Sequence, residues 1–124
     1  MQLAQQAESH PHAVRRIGAG MLGFDSGELA APLLAGTRCP PQPWMLTVPN
    51  AAQAADLAAL VQQFQPAVIL LGTGARQRFP LSPVLLPALK AGIGVEVMDT
   101  RAAARTYNVL LGEGREVLLA LLAD

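Results

Sequence analysis

Between Ala54 and Phe64 the apolar residues Ala54, Leu57, Leu60, Val61 and Phe64 recur three or four positions apart, so they fall along one face of a helix. The helix is predicted over Ala51–Phe64, with Asn50 as its N-cap. The pattern then becomes a continuous apolar run, Ala67-Val68-Ile69-Leu70-Leu71, closed by Gly72, as a strand buried on both faces requires. It changes again to an alternation of Ile93, Val95 and Val97 with Gly94, Glu96 and Met98, the period of a further strand. Between the two strands, Ser82-Pro83 supplies an N-cap and a first-turn proline for a helix toward Lys90 and Gly92. Pro87 should kink that helix or restart it near Leu86. Thr100 is placed to cap a last helix that runs to about Leu111 and stops at Gly112 and Gly114.

The N-terminal half has shorter periods. Val14 to Met21 reads as a strand, Gly23-Phe24-Asp25-Ser26-Gly27 as a turn, and Leu29 to Leu34 as a second strand, which makes a hairpin. Cys39-Pro40-Pro41-Gln42-Pro43 reads as a loop, because its three prolines remove backbone donors, and Trp44 to Val48 follows as a strand. Arg115 to Ala123 stays open: Leu and Ala favour helix, whereas Gly114 and the place after a β/α series favour a strand. Alternation of strands and helices from Trp44 onward predicts an α/β sandwich with a mostly parallel central sheet. Residues 1–13 are expected to be a flexible tail and residues 14–124 a single α/β domain.

Charge narrows the partners. Nine Lys and Arg balance nine Asp and Glu over 124 residues, so no basic field draws the chain onto nucleic acid or anionic lipid. The single Cys39 cannot form an intrachain disulfide, which fits a reducing cytoplasm. Neither a signal peptide nor an apolar run of membrane-spanning length is present, so membrane insertion is not expected.

Three constellations invite a chemical reading. Gly18-Ala19-Gly20-Met21-Leu22-Gly23 has the spacing of a dinucleotide fingerprint, but Gly27, Pro32 and Gly36 spoil the helix that would receive the pyrophosphate. Gly72-Thr73-Gly74 is placed at the carboxyl end of a buried strand, where open parallel sheets hold ligands. With Arg76 and Arg78 close behind it is either an anion cradle or a tight turn with solvated arginines. Glu96, Asp99, Thr100 and Arg105 cluster at the next strand end, with Arg101 and Asn108 on the same helix. They read either as an acid, a base and a cation at one site or, preferably, as ion pairs that order the junction. The predicted crevice therefore comprises Gly72, Thr73, Gly74, Arg76, Arg78, Glu96, Asp99, Thr100 and Arg105. No catalytic residue, metal site or cofactor is assigned: the histidines, His10 and His12, lie in the predicted tail, and no Ser or Cys has a triad context. Trp44 and Phe79, each beside a proline, suit either an exposed patch for a protein partner or, for Trp44, the core.

At Gly72-Thr73-Gly74, Val95-Glu96-Val97-Met98-Asp99-Thr100, Ala102-Ala103-Ala104-Arg105-Thr106-Tyr107-Asn108 and Glu113-Gly114-Arg115-Glu116-Val117, the chain resembles a small uncharacterised α/β domain family. That family includes mitochondrial respiratory complex I assembly factor 3 and the adipogenesis-associated domain protein. The resemblance implies a three-layer sandwich with a mixed central sheet, a last strand antiparallel to the others and an N-terminal β hairpin at one side. It also implies that Arg115 to Leu122 is a strand. By analogy the chain is expected to be a noncatalytic, assembly-factor-like module that binds an unidentified protein, with self-association permitted. The alternative is a small-molecule or anion-binding enzyme with its site at the carboxyl ends of the parallel strands.

Overall fold

The computed structural model describes residues 9–124, so residues 1–8 of the predicted tail lie outside the described residues. At residues 10–13 the chain is tied to the body: the Tyr107 hydroxyl donates to the His12 carbonyl at 2.7 Å, and Ala13 is buried.

The described strands are β1 (Arg16–Gly18), β2 (Met21–Phe24), β3 (Gly27–Ala30), β4 (Leu33–Gly36), β5 (Cys39–Pro43), β6 (Val68–Gly72), β7 (Gly94–Met98) and β8 (Val117–Leu121). The helices are α1 (Ala54–Phe64), α2 (Ser82–Lys90) and α3 (Thr100–Gly112). β1, β2 and β3 form an antiparallel sheet of their own, and the central sheet has the order β5-β4-β8-β6-β7.

Alternation along the strands divides the interior into two cores. Val68, Leu70, Val117, Leu119 and Leu121 point to the face covered by α3 and the N-terminal sheet, where Leu22, Phe24 and Tyr107 join them. Ile69, Leu71, Leu118 and Ala120 point to the other face, where Leu57 and Leu60 of α1 and Ala88 of α2 cover them. The three layers follow from these period-two faces, because an apolar sheet face must be buried under another element.

The reversed strand is not the last one. β8 runs parallel to β6 and antiparallel to β4, so β6, β7 and β8 share a direction and β4 opposes its neighbours on both sides. The cause is α3, which carries the chain back across the sheet between β7 and β8 and lets β8 enter in the same direction.

Several boundaries also move. The strand expected over Val14–Met21 is split by the Ala19-Gly20 turn, where Gly20 has φ 68°, and a cis Ala31–Pro32 peptide separates β3 from β4. The proline-rich segment expected as a loop is the edge strand β5, whereas Trp44 to Val48 forms no regular element. Trp44 N–H donates to the Pro32 carbonyl at 3.0 Å, so residues of the opposite parity, Pro41 and Pro43, turn their missing donors away from β4. α1 starts later than predicted, with Gln53 and not Asn50 as the cap, and the Asp56 carboxylate accepts the Gln53 N–H at 2.7 Å. Leu81, not Ser82, caps α2, and the helix continues through Pro87 to Lys90 without restarting.

Candidate functional site

The carboxyl ends of β6 and β7 are stitched by backbone and hydroxyl groups. Thr73 N–H donates to the Met98 carbonyl at 2.9 Å, one step beyond the Gly72–Met98 pair of the ladder. The Thr73 side chain, 2% exposed, donates from Oγ1 to the Arg76 carbonyl at 2.6 Å and accepts the Arg78 N–H at 3.0 Å. The Arg78 guanidinium donates from Nη2 to the Thr73 carbonyl at 3.0 Å, which folds residues 73–78 onto themselves. Gly74 N–H donates to Thr100 Oγ1 at 3.0 Å, and Thr100 N–H donates to the Gly74 carbonyl at 2.8 Å. This reciprocal pair locks the end of β6 to the start of α3. Asp99, not Thr100, caps that helix, its carboxylate accepting the Ala102 N–H at 2.9 Å.

The sheet divides the predicted site residues between two crevices, because successive residues leaving β6 project to opposite faces. Thr73 and Arg78 line a crevice of about 330 Å³ on the α1 and α2 side, floored by Leu71 and Leu122 and walled by Val84. Gly74, Asp99 and Thr100 line another of about 360 Å³ on the α3 side, facing Gly18 to Gly20 and Arg101. Gly72, Arg76, Glu96 and Arg105 line neither. Gly72 instead permits close packing: a Cβ there would run into the Leu121 side chain.

The expected ion-paired junction is absent among the described residues, whose salt bridges join Arg15 to Asp25, Arg16 to Glu28, Arg38 to Glu116 and Arg115 to Glu113. Glu96 is exposed on the edge strand β7, and Arg101 and Arg105 point away from the face of α3 that buries Ala103, Ala104, Tyr107 and Leu111. Asn108 spans a different gap, exchanging hydrogen bonds at 2.9 Å with the N–H and carbonyl of Val14.

Two groups escaped the sequence reading. Asp124 accepts the Ala75 N–H at 2.5 Å and borders the second crevice, but nothing in its sequence context marks it. Asn50, read as a helix cap, and Gln53, read as a helix residue, line the first crevice. Trp44 and Phe79, paired in the sequence reading, separate: Trp44 is buried, whereas Phe79 is 75% exposed at the first crevice. Burial pushes the Cys39 thiol up to about 11, against a smaller opposing effect of its hydrogen bond from Gln42, so it is held protonated and unreactive at neutral pH.

The profile of a family described as protein of unknown function (DUF498/DUF598) matches residues 14–122. The chain belongs to the DUF498/DUF598 family. A crystal structure of a Bordetella parapertussis protein is 37% identical with a TM-score of 0.81, covering 90% of this chain and 95% of that one. Over 55 residues the chain is 46% identical to NADH dehydrogenase (ubiquinone) 1 alpha subcomplex assembly factor 3 of Danio rerio, covering 44% of this chain and 32% of that protein. Over 58 residues it is 38% identical to the 13 kDa major membrane protein of Francisella tularensis subsp. holarctica, covering 47% of each. The chain thus spans less than half the length of both curated relatives. Among the described residues of this DUF498/DUF598 protein, no helix is long and apolar enough to cross a membrane.

Proposed function

We propose that residues 14–124 act as one noncatalytic protein-binding module of the assembly-factor kind, working in the cytoplasm. The observation that carries this reading is the 46% identity to a protein named as an assembly factor. The surface offers a means: Leu86 and Leu89, three residues apart on α2, are 44% and 56% exposed and leave an apolar stripe open to a partner. The rival reading, an enzyme using the strand-end groups together, calls for them around one pocket; it has less support, since Thr73 and Arg78 line one crevice, Gly74, Asp99 and Thr100 another, and Gly72, Arg76, Glu96 and Arg105 neither.

Cross-linked capture from the source cells, with the intact chain as bait, tests the module reading. One reproducible partner is expected, and it should be lost with the double substitution Leu86→Asp, Leu89→Asp while thermal unfolding remains cooperative. Capture with no reproducible partner, or a partner indifferent to both substitutions, would count against the proposal and against this surface respectively.

A further inference from the structure

The first crevice has the composition of a small-ligand site. Its floor is Leu71 and Leu122, both buried, and its rim carries Phe79 and Leu81, 75% and 78% exposed. Its volume, about 330 Å³, falls at the lower end of the range of roughly 300–1,000 Å³ found for ligand pockets. At ~30 Å³ for each water-sized group, that space covers about ten non-hydrogen atoms of a ligand, and the crevice opens to solvent beyond them.

Charge in the crevice is one-sided. Arg78 is the charged residue of its lining, and no acid shares it. The guanidinium is fixed by the Thr73 carbonyl and enters none of the ion pairs among the described residues. A guanidinium has five donors, so after one bond to Thr73 the others can meet a carboxylate side-on. Asn50, exposed, adds a neutral polar residue to the lining. Val84 of α2 and the leucine floor supply an apolar lining beside Arg78, and Phe79 and Leu81 gain cover if a hydrocarbon enters it.

We propose that this crevice binds a free aliphatic carboxylate of the size of octanoate, its tail between Leu71, Val84 and Leu122 and its carboxylate on Arg78. The site goes beyond the protein-binding reading and does not depend on it. A leucine at the carboxyl end of a peptide offers similar chemistry, and its preceding chain can leave through the open side of the crevice, so a tripeptide ending in leucine is the competing occupant in the test.

The test titrates the intact protein with octanoate, 1-octanol, octyltrimethylammonium and the tripeptide Gly-Gly-Leu, following backbone amide shifts and the unfolding temperature. Octanoate should saturate, shift the amides of Thr73, Leu81 and Val84 and raise the unfolding temperature, with octanol weaker and the cation inactive. Arg78→Gln should weaken octanoate by about tenfold, the scale of one charge-assisted hydrogen bond, and erase the preference over octanol. Phe79→Ser, on the exposed rim, should weaken octanoate and octanol alike, and Arg101→Gln in the other crevice should change neither. Non-saturating shifts, octanoate binding unchanged in Arg78→Gln, shifts confined to the second crevice, or binding of the tripeptide in place of octanoate would each overturn the proposal.

Discussion

Thr73 brings a hydroxyl into an almost fully buried position and uses it both as donor and as acceptor, to the Arg76 carbonyl and the Arg78 N–H. Replacing it with valine keeps the shape and strips both partners. Thr73→Val should therefore cost about 1–3 kcal/mol in urea unfolding, while Thr73→Ser recovers most of the loss. A second residue-scale effect concerns pH. Partial burial, helped by the charges of His12 and Arg15, lowers the pKa of His10 below 6.5, and its Nδ1 accepts the His12 N–H at 3.0 Å. Because the folded pKa is the lower one, the unfolded chain takes up the proton first, so this contribution is whole above the ordinary histidine pKa and is lost as pH falls through and below it. Stability measured from about pH 7.5 down to about pH 5 should decline, and the decline should be shallower in His10→Asn.

At the scale of elements, the junction between β7 and α3 turns on Asp99, which satisfies the Ala102 N–H. Asp99→Ala should cost about 1 kcal/mol, read from thermal or urea unfolding, and Asp99→Ser should restore most of it. Elements built on a long, regular pattern were legible from sequence: the apolar run of β6, the alternation in β7 and the helical spacing of α1 all appear where their periods place them. The N-terminal strands were less so, because β1 to β4 are only three or four residues long and a glycine turn or a proline interrupts each apolar stretch. β5 was hidden by its prolines, which forbid a central strand and are tolerated at an edge that needs donors along one side. For the site, sequence placed the ends of β6 and β7 side by side correctly. It did not show that Thr73 and Gly74 turn to opposite faces at a point where the strand has ended, nor that the cations of α3 stand outside its buried stripe.

Over the whole molecule, β8 has a special place: it joins the β4–β5 pair to the β6–β7 pair, and its residues enter both cores. Removing residues 115–124 should leave a chain without cooperative unfolding, by calorimetry or denaturant, and not a slightly weaker version of the same fold. A milder cut, Leu119→Ala at a fully buried site, should cost about 2–5 kcal/mol while keeping the transition cooperative. The same placement bears on how the chain is made. β8 is the last of the described strands to leave the ribosome, so until it emerges the growing chain holds separate ladders whose apolar edges face water and have only each other, or a chaperone, to meet. Nascent chains stalled before residue 115 should therefore remain open to protease, and protection should arrive in one step once Val117–Leu121 clears the exit tunnel.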